Sequence, residues 1–410
     1  MVSYTTQTLG LSNLQRADVR ANPYPFYAEL RTQDPVHWDE EQGFWALTRY
    51  ADIGFVYTDP RFSRAEGLMS GYARLPEQER GIATPVYDSF AKTMFYSDPP
   101  YHTHLRGLVN SAFTPRRVEH MGERIREIVD DLLDEVQGGG RMDVIRDLAY
   151  PLPILVVAEM LGFPAVDRLR LKKWSDDLFA TLGTVRRPSH GMLEAAARSL
   201  AELTDYVVEL SRARRLRPQD DLLTALVTVM DGGTALTQDE LVANVNILLS
   251  AGHETTSNLL GNGLLALLEN PAELQRLKQM PALVAPAVEE MMRYDNPVQI
   301  AYRSAAADVE LDGRTIRRGQ LVNMVLGAAN RDPERFPDPD RFDVTRDQGK
   351  HLGLGLGIHF CLGAPLLRLE MQIAFTRLLQ RLPRLRLGTN TLEWQEHPIF
   401  RGVKSLQVEF

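Results

Sequence analysis

The stretch 353–365 reads GLGLGIHFCLGAP and contains Cys361, the one cysteine in 410 residues. A thiol acts as nucleophile or metal ligand in its ionised form, and the mouth of a helix favours that form because its free N–H groups point back at the preceding residues. Gly363, Ala364 and Pro365 open a helix expected over 362–382, with proline where a missing N–H is harmless. The glycines at 353, 355 and 357 leave bare backbone in front of the sulfur, so a flat, bulky partner can press against it. Taken alone, such a cysteine is more simply a small buried residue at a helix start. A thiolate with one broad face cleared beside it also suits an axial ligand of haem iron.

Other chemistries fail on spacing. A dinucleotide loop needs G-x-G-x-x-G between strand and helix, and Phe360 stands where the third glycine belongs after Gly355 and Gly357. No GK[ST] follows, so there is no phosphate loop. One thiol without a second nearby is not a structural zinc site. His253-Glu254 has the start of a zinc-protease helix, but the second histidine would fall on Ser257.

Three further stretches place reactive residue types at helical spacing. In AGHETT (251–256) a glutamate and a threonine sit mid-way along the longest apolar helix, which needs a reason, and Gly252 weakens that helix while permitting close approach. A threonine bonded back to its own helix and a solvent-facing glutamate would be the plainer account. In EEMMRY (289–294) Glu290 and Arg293 share a face, which in isolation is a surface ion pair of small value. In DPPYHTHLR (98–106) His102 and Arg106 lie one turn apart.

Together these strings closely resemble the cytochrome P-450 superfamily, soluble bacterial type. Its haem loop, F-G-x-G-x-H-x-C-x-G, is matched from Gly355 to Gly363, with Leu354 in place of the usual Phe. The resemblance implies that Cys361 is the axial ligand of haem b. It implies that Thr255 hydrogen-bonds the dioxygen to be cleaved, or a water beside it, and that Glu254 feeds protons through water. His102, Arg106, Arg303 and His359 match the family's propionate partners; His104 stands where the usual arginine would be and is not carried over. Glu290, Arg293 and Arg341 match a structural triad that pins the cysteine loop, and His253 occupies a variable position. The activity implied is insertion of one oxygen atom from O2 into a C–H bond, or an epoxidation, of a mostly apolar small molecule such as a macrolide or other secondary metabolite. Electrons would come from NAD(P)H through a ferredoxin and its reductase, docked on a basic patch for which Arg116, Arg117 and Lys350 are candidates. The rivals are a peroxide-driven peroxygenase, which typically lacks the acid–alcohol pair, a non-catalytic haem-binding sensor, and a helical binding protein without cofactor.

The elements that must position these residues read as mainly α with a minor β region, the cytochrome P-450 fold, in which a long central helix and the helix after the cysteine loop sandwich the haem. Helical periodicity runs through 114–137, 190–214, 219–230, 237–269, 283–294 and 362–382. Thr114 caps the first, with Val118, Met121, Ile125, Ile128, Leu132 and Val136 on one face; Thr237 and Glu240 form a capping box and Pro271 ends the 237–269 helix. Strands are expected near 35–48, 298–325 and 384–410. No linker divides the chain, so one domain over 1–410 is expected. A net charge of −8 argues against nucleic acid. One cysteine, an N-terminal stretch without a signal-peptide pattern and the lack of a long apolar run lead to the expectation of a cytoplasmic protein with no membrane association; a monomer is expected. A substrate lining is expected from 66–96, 178–192, Ala243, Ile247, Val298–Ala301 and Ile399–Phe400, with Phe90, Met94, Phe179 and Leu182 making it apolar.

Overall fold

The computed structural model describes residues 9–181, 188–229, 235–347, 349–389, 391–397 and 399–410; Leu182 falls outside them. Helix dominates. The central helix, Gln238–Glu269, starts at the Thr237/Glu240 capping box and has 32 residues, or about 48 Å at 1.5 Å per residue. It is buried on most of its circumference, from Leu241 to Leu267. It is therefore a core axis rather than an amphipathic surface helix. Helices Pro151–Leu161 and Arg168–Phe179 pack along it.

The proximal helix, Ala364–Arg381, begins directly after the cysteine loop with Pro365 in its first turn. It lies against Pro115–Gln137 and Val284–Tyr294. Thr114 caps Pro115–Gln137 by accepting from the Arg117 amide. That helix buries Val118, Met121, Ile125, Ile128, Val129 and Leu133, while Leu132 and Val136 are half-buried at the edge of the stripe.

The largest sheet orders its strands Val36–Asp39, Phe44–Leu47, Leu321–Val325, Ile300–Ala305, Phe62–Ser63. The first two form the expected hairpin, and Phe44–Leu47 then runs parallel to Leu321–Val325. The remaining pairs are antiparallel. Asp312 and Gly313, both at positive φ, make the two-residue turn of a small separate hairpin. Among the described residues of the C-terminal part, Arg386–Leu387 and Gln407–Glu409 form strands, joined to Arg141–Asp143.

The structure adds helices outside the segments named from periodicity: Tyr24–Gln33, Tyr50–Thr58, Arg64–Ala73, Glu77–Ala91, Tyr101–Ala112, Pro151–Leu161 and Arg168–Phe179. For Pro151–Leu161 the reason is burial. Eight of its eleven residues are buried, so it has no polar face to set a period.

Candidate active site

The turn that presents Cys361 is built from left-handed backbone. Gly355 and Gly357 have φ of +73° and +71°, a region open to glycine at little cost. A side chain on Gly357 would also come within 2.9 Å of the Tyr57 carbonyl, so the loop rests on helix Tyr50–Thr58. The Cys361 amide donates to the Leu354 carbonyl at 2.9 Å, closing the loop on itself. Leu354 is buried and fills the aromatic position with a smaller apolar group.

Cys361 lies on the wall of a cavity of about 290 Å³. Burial pushes its thiol up, while the Gly363 and Ala364 amides and the Arg106 and Arg368 guanidiniums pull the other way. The sequence expectation of N–H groups aimed at the sulfur is met by those two amides. A Cβ on Gly363 would come 3.9 Å from the sulfur.

From the central helix Ile247, Leu248, Ala251, Gly252, Thr255 and Leu259 line the same cavity. The Thr255 hydroxyl donates to the Ala251 carbonyl at 2.8 Å. Gly252 lies on this wall, and the close approach it permits is to a neighbouring helix. A Cβ there would meet Val157 at 2.8 Å, so the missing side chain seats helix Pro151–Leu161. Glu254 is half-buried beside the cavity but is not part of its wall. Its carboxylate accepts from Asn258 Nδ2 at 3.2 Å. Burial, and then Asp176, push it up.

At the rim the structure gathers His102, Arg106, Arg303 and His359, and adds Arg64. Arg106 donates to the Phe360 carbonyl at 2.9 Å. Arg303 is buried and donates to the Tyr302 carbonyl at 2.9 Å. The rings of His102 and His359 are 4.3 Å apart. Burial and then Arg303, Arg64, His102 and Arg106 hold His359 down to about 2. Burial, joined by Arg64, lowers Arg303 to about 9. His102 is buried with no partner for Nε2. Asp98, the carboxylate acting on His102 and Arg303, is engaged by the Ser63 hydroxyl and the Arg64 and Ala65 amides. Three guanidiniums and two imidazoles crowded in this way call for added negative charge. Arg64 escaped the sequence reading because Ser63 caps its helix there, an ordinary surface signature.

Glu290 and Arg293 pair face to face inside the protein, at 2.7 and 2.9 Å. The second guanidinium on Glu290 is Arg346, at 3.1 Å, and not Arg341 as expected. The Arg341 side chain is 60% exposed and pairs with Asp343. Only its carbonyl joins the network, accepting from Arg293 and Arg346. Arg346, five residues on, has the reach and the buried position. Asn330 ties the network to the cysteine loop, accepting from the Leu352 amide at 2.7 Å and from Arg293 through its carbonyl.

Of the expected substrate lining, Met94, Phe179, Ile247, Val298, Ile300, Ala301, Ile399 and Phe400 face the cavity. Phe90 and Ala243 are buried without lining it. A cleft with a sulfur on its wall, apolar sides and cations at one edge fits a flat apolar macrocycle with carboxylate arms and a coordinating metal, which is haem.

Comparison with known proteins agrees. The family model described as cytochrome P450 matches residues 170–383. The cytochrome P450 monooxygenase PikC of Streptomyces venezuelae is 42% identical over 96% of this chain and 92% of its own length. The chain belongs to the cytochrome P450 family. The vitamin D(3) 25-hydroxylase of Pseudonocardia autotrophica is 41% identical over 94% of this P450 and 93% of that chain. The crystal structure of P450BioI, in complex with an acyl carrier protein bearing hexadec-9Z-enoic acid, superposes with a TM-score of 0.87 at 38% identity, covering 96% and 99% of the two chains. This P450 is therefore a monooxygenase of the haem-dependent kind, with the fold expected from its motifs. Among the described residues no helix is long and apolar enough to cross a membrane.

Proposed function

We propose that this P450 hydroxylates or epoxidises a mostly apolar small molecule of the secondary-metabolite kind, macrolides included, using electrons from NAD(P)H delivered by a ferredoxin and its reductase. The observation that carries the reading is the sharing of one apolar cavity by Cys361, Thr255 and, from the rim, Arg64, Arg106, Arg303 and His359. Haem b, when bound, supplies the activation of O2 and the oxidation of carbon.

The protein's part follows from its own groups. Cys361 offers the metal ligand, and the amides of Gly363 and Ala364 stabilise negative charge on it. His102, Arg106, Arg303 and His359, with Arg64, would hold the carboxylate arms of the haem. Thr255 holds a hydroxyl at the cavity wall, where it accepts or passes a proton. Glu254, pushed toward its protonated form, is the neighbouring reservoir from which that proton is renewed through water. Phe179, Ile300, Ile399 and Phe400 exclude water and select for apolar surface. Glu290, Arg293 and Arg346 keep the cysteine loop in register, a use of buried charge for geometry rather than stability. The retained acid–alcohol pair favours this reading over a peroxide-driven enzyme.

The test is Cys361→Ser. The reduced carbon monoxide complex of the parent should show a strongly red-shifted Soret band, and the variant should lack it. A surviving band in the variant removes Cys361 as ligand and the reading with it.

A further inference from the structure

Asp176, on helix Arg168–Phe179, brings a carboxylate oxygen within 4.8 Å of a ring nitrogen of His253 and of a carboxylate oxygen of Glu254, and those two are equally close to each other. His253 is fully buried, and neither ring nitrogen has a hydrogen-bond partner. A buried imidazole left unsatisfied is costly, and such an orphan points to a missing partner. Tyr150 stands edge-on against the ring at 4.3 Å and limits its rotation. The Tyr150 carbonyl lies beside the ring without reaching hydrogen-bond geometry. Burial lowers His253 to about 4, so the imidazole is neutral and keeps a lone pair for coordination.

A cation already stands at this spot. The Lys172 ammonium donates to Asp176 Oδ2 at 2.8 Å, while the Tyr150 hydroxyl donates to Oδ1 at 2.5 Å. The Lys172 side chain is 42% exposed and has solvent to swing into. We propose that Asp176, His253 and Glu254 form a binding site for a first-row divalent cation of the zinc type, with the Lys172 ammonium as its built-in competitor. One imidazole and two carboxylates, with a water completing the shell, is a set that zinc accepts. Neighbouring helix positions diverge, so the length of the Glu254 side chain is what lets it and His253 serve one ion. Closure needs donor atoms roughly 3.3 Å apart, a contraction within reach of the half-buried Asp176 and Glu254 side chains. An ion here would also withdraw Glu254 from proton delivery. That consequence rests on the role proposed for Glu254; the binding itself does not.

The experiment is equilibrium dialysis and calorimetry of the haem-loaded protein with Zn2+, with anomalous scattering at the zinc edge from soaked crystals. One ion per chain is expected at the three side chains. Asp176→Asn should weaken it at least tenfold, and Lys172→Met should tighten it several-fold by removing the competitor. His253→Gln should abolish it; should that buried variant not fold, the other two carry the test. Absence of stoichiometric uptake, or uptake unmoved by Asp176→Asn and Lys172→Met, overturns the proposal. So does uptake that is lost instead in His190→Ala, which would place the ion at the exposed His190 with Glu79 and Glu194.

Discussion

The hydroxyl of Thr255 donates to its own helix, which leaves its oxygen lone pairs open to the cavity it lines. Thr255→Ala therefore removes the relay hydroxyl, together with one methyl group of the cavity wall. Electron uptake should continue while product formation falls on the order of a hundredfold, the usual value of a positioned proton donor, with hydrogen peroxide making up the difference. Unchanged product per electron would remove Thr255 from the mechanism. Glu370 poses a different residue-scale question. It is fully buried on the proximal helix, its Oε1 has no partner, and burial alone pushes it up to about 8. The folded protein thus holds a proton that the unfolded chain releases near the ordinary glutamate value of 4.5. Its contribution to stability is greatest below that value and declines as pH rises toward 8, by up to about 1.4 kcal/mol per pH unit. Glu370→Gln, neutral and of similar shape, should flatten the fall of melting temperature between pH 5 and 8. A parallel decline in both proteins would show that another group is responsible.

At the scale of elements, the triad joins helix Val284–Tyr294 to the segment leading into the cysteine loop. Two arginines five residues apart, Arg341 and Arg346, are equal on paper because sequence does not show which side chain turns inward. The structure answers with burial: 8% side-chain exposure for Arg346 against 60% for Arg341. Arg346→Ala leaves Glu290 only partly paired in the interior and removes donors to the Pro337, Asp338 and Arg341 carbonyls. It should cost about 3 kcal/mol of stability, as breaking a buried pair does, and speed haem loss. Arg341→Ala should change stability by less than about 0.5 kcal/mol, as an exposed pair does. Denaturant titration of both variants decides between them, and equal losses would return the role to Arg341. The same logic explains what else was legible. Amphipathic or capped helices such as Pro115–Gln137 and Gln238–Glu269 announced themselves through a period or a capping box. Pro151–Leu161, apolar all round, did not. Cys361, Thr255 and the rim residues were readable because their strings resemble a family's motifs. Arg64 and Asp176 belong to no such string and become visible only when helices converge.

For the molecule as a whole, the question is how an acidic chain would dock the ferredoxin proposed above, a class of carrier that is usually acidic too. A net charge of −8 repels such a partner at long range, but at 0.15 M salt that repulsion fades beyond about 8 Å, so the local surface decides docking. On the cysteine-loop side Ile358 and Phe360 are exposed, and Arg106 holds the Phe360 carbonyl. Phe113 lines the cavity, and three residues later Arg116 stands exposed at the start of the helix packed on the proximal helix. Arg117 is a weaker contributor, since Asp220 sits 3.3 Å from its guanidinium and cancels much of its charge. Lys350 is exposed beside the loop, its carbonyl accepting from Tyr50. Charge steering changes association rates by 10- to 1,000-fold for whole surfaces, so one reversal is worth roughly several-fold. Arg116→Glu should slow reduction by ferredoxin at low ionic strength and converge with the parent at high salt, whereas Arg117→Glu should have the smaller effect. Stopped-flow reduction across a salt series measures both. Equal rates for all three proteins at every ionic strength would place the electron entry point elsewhere on the surface.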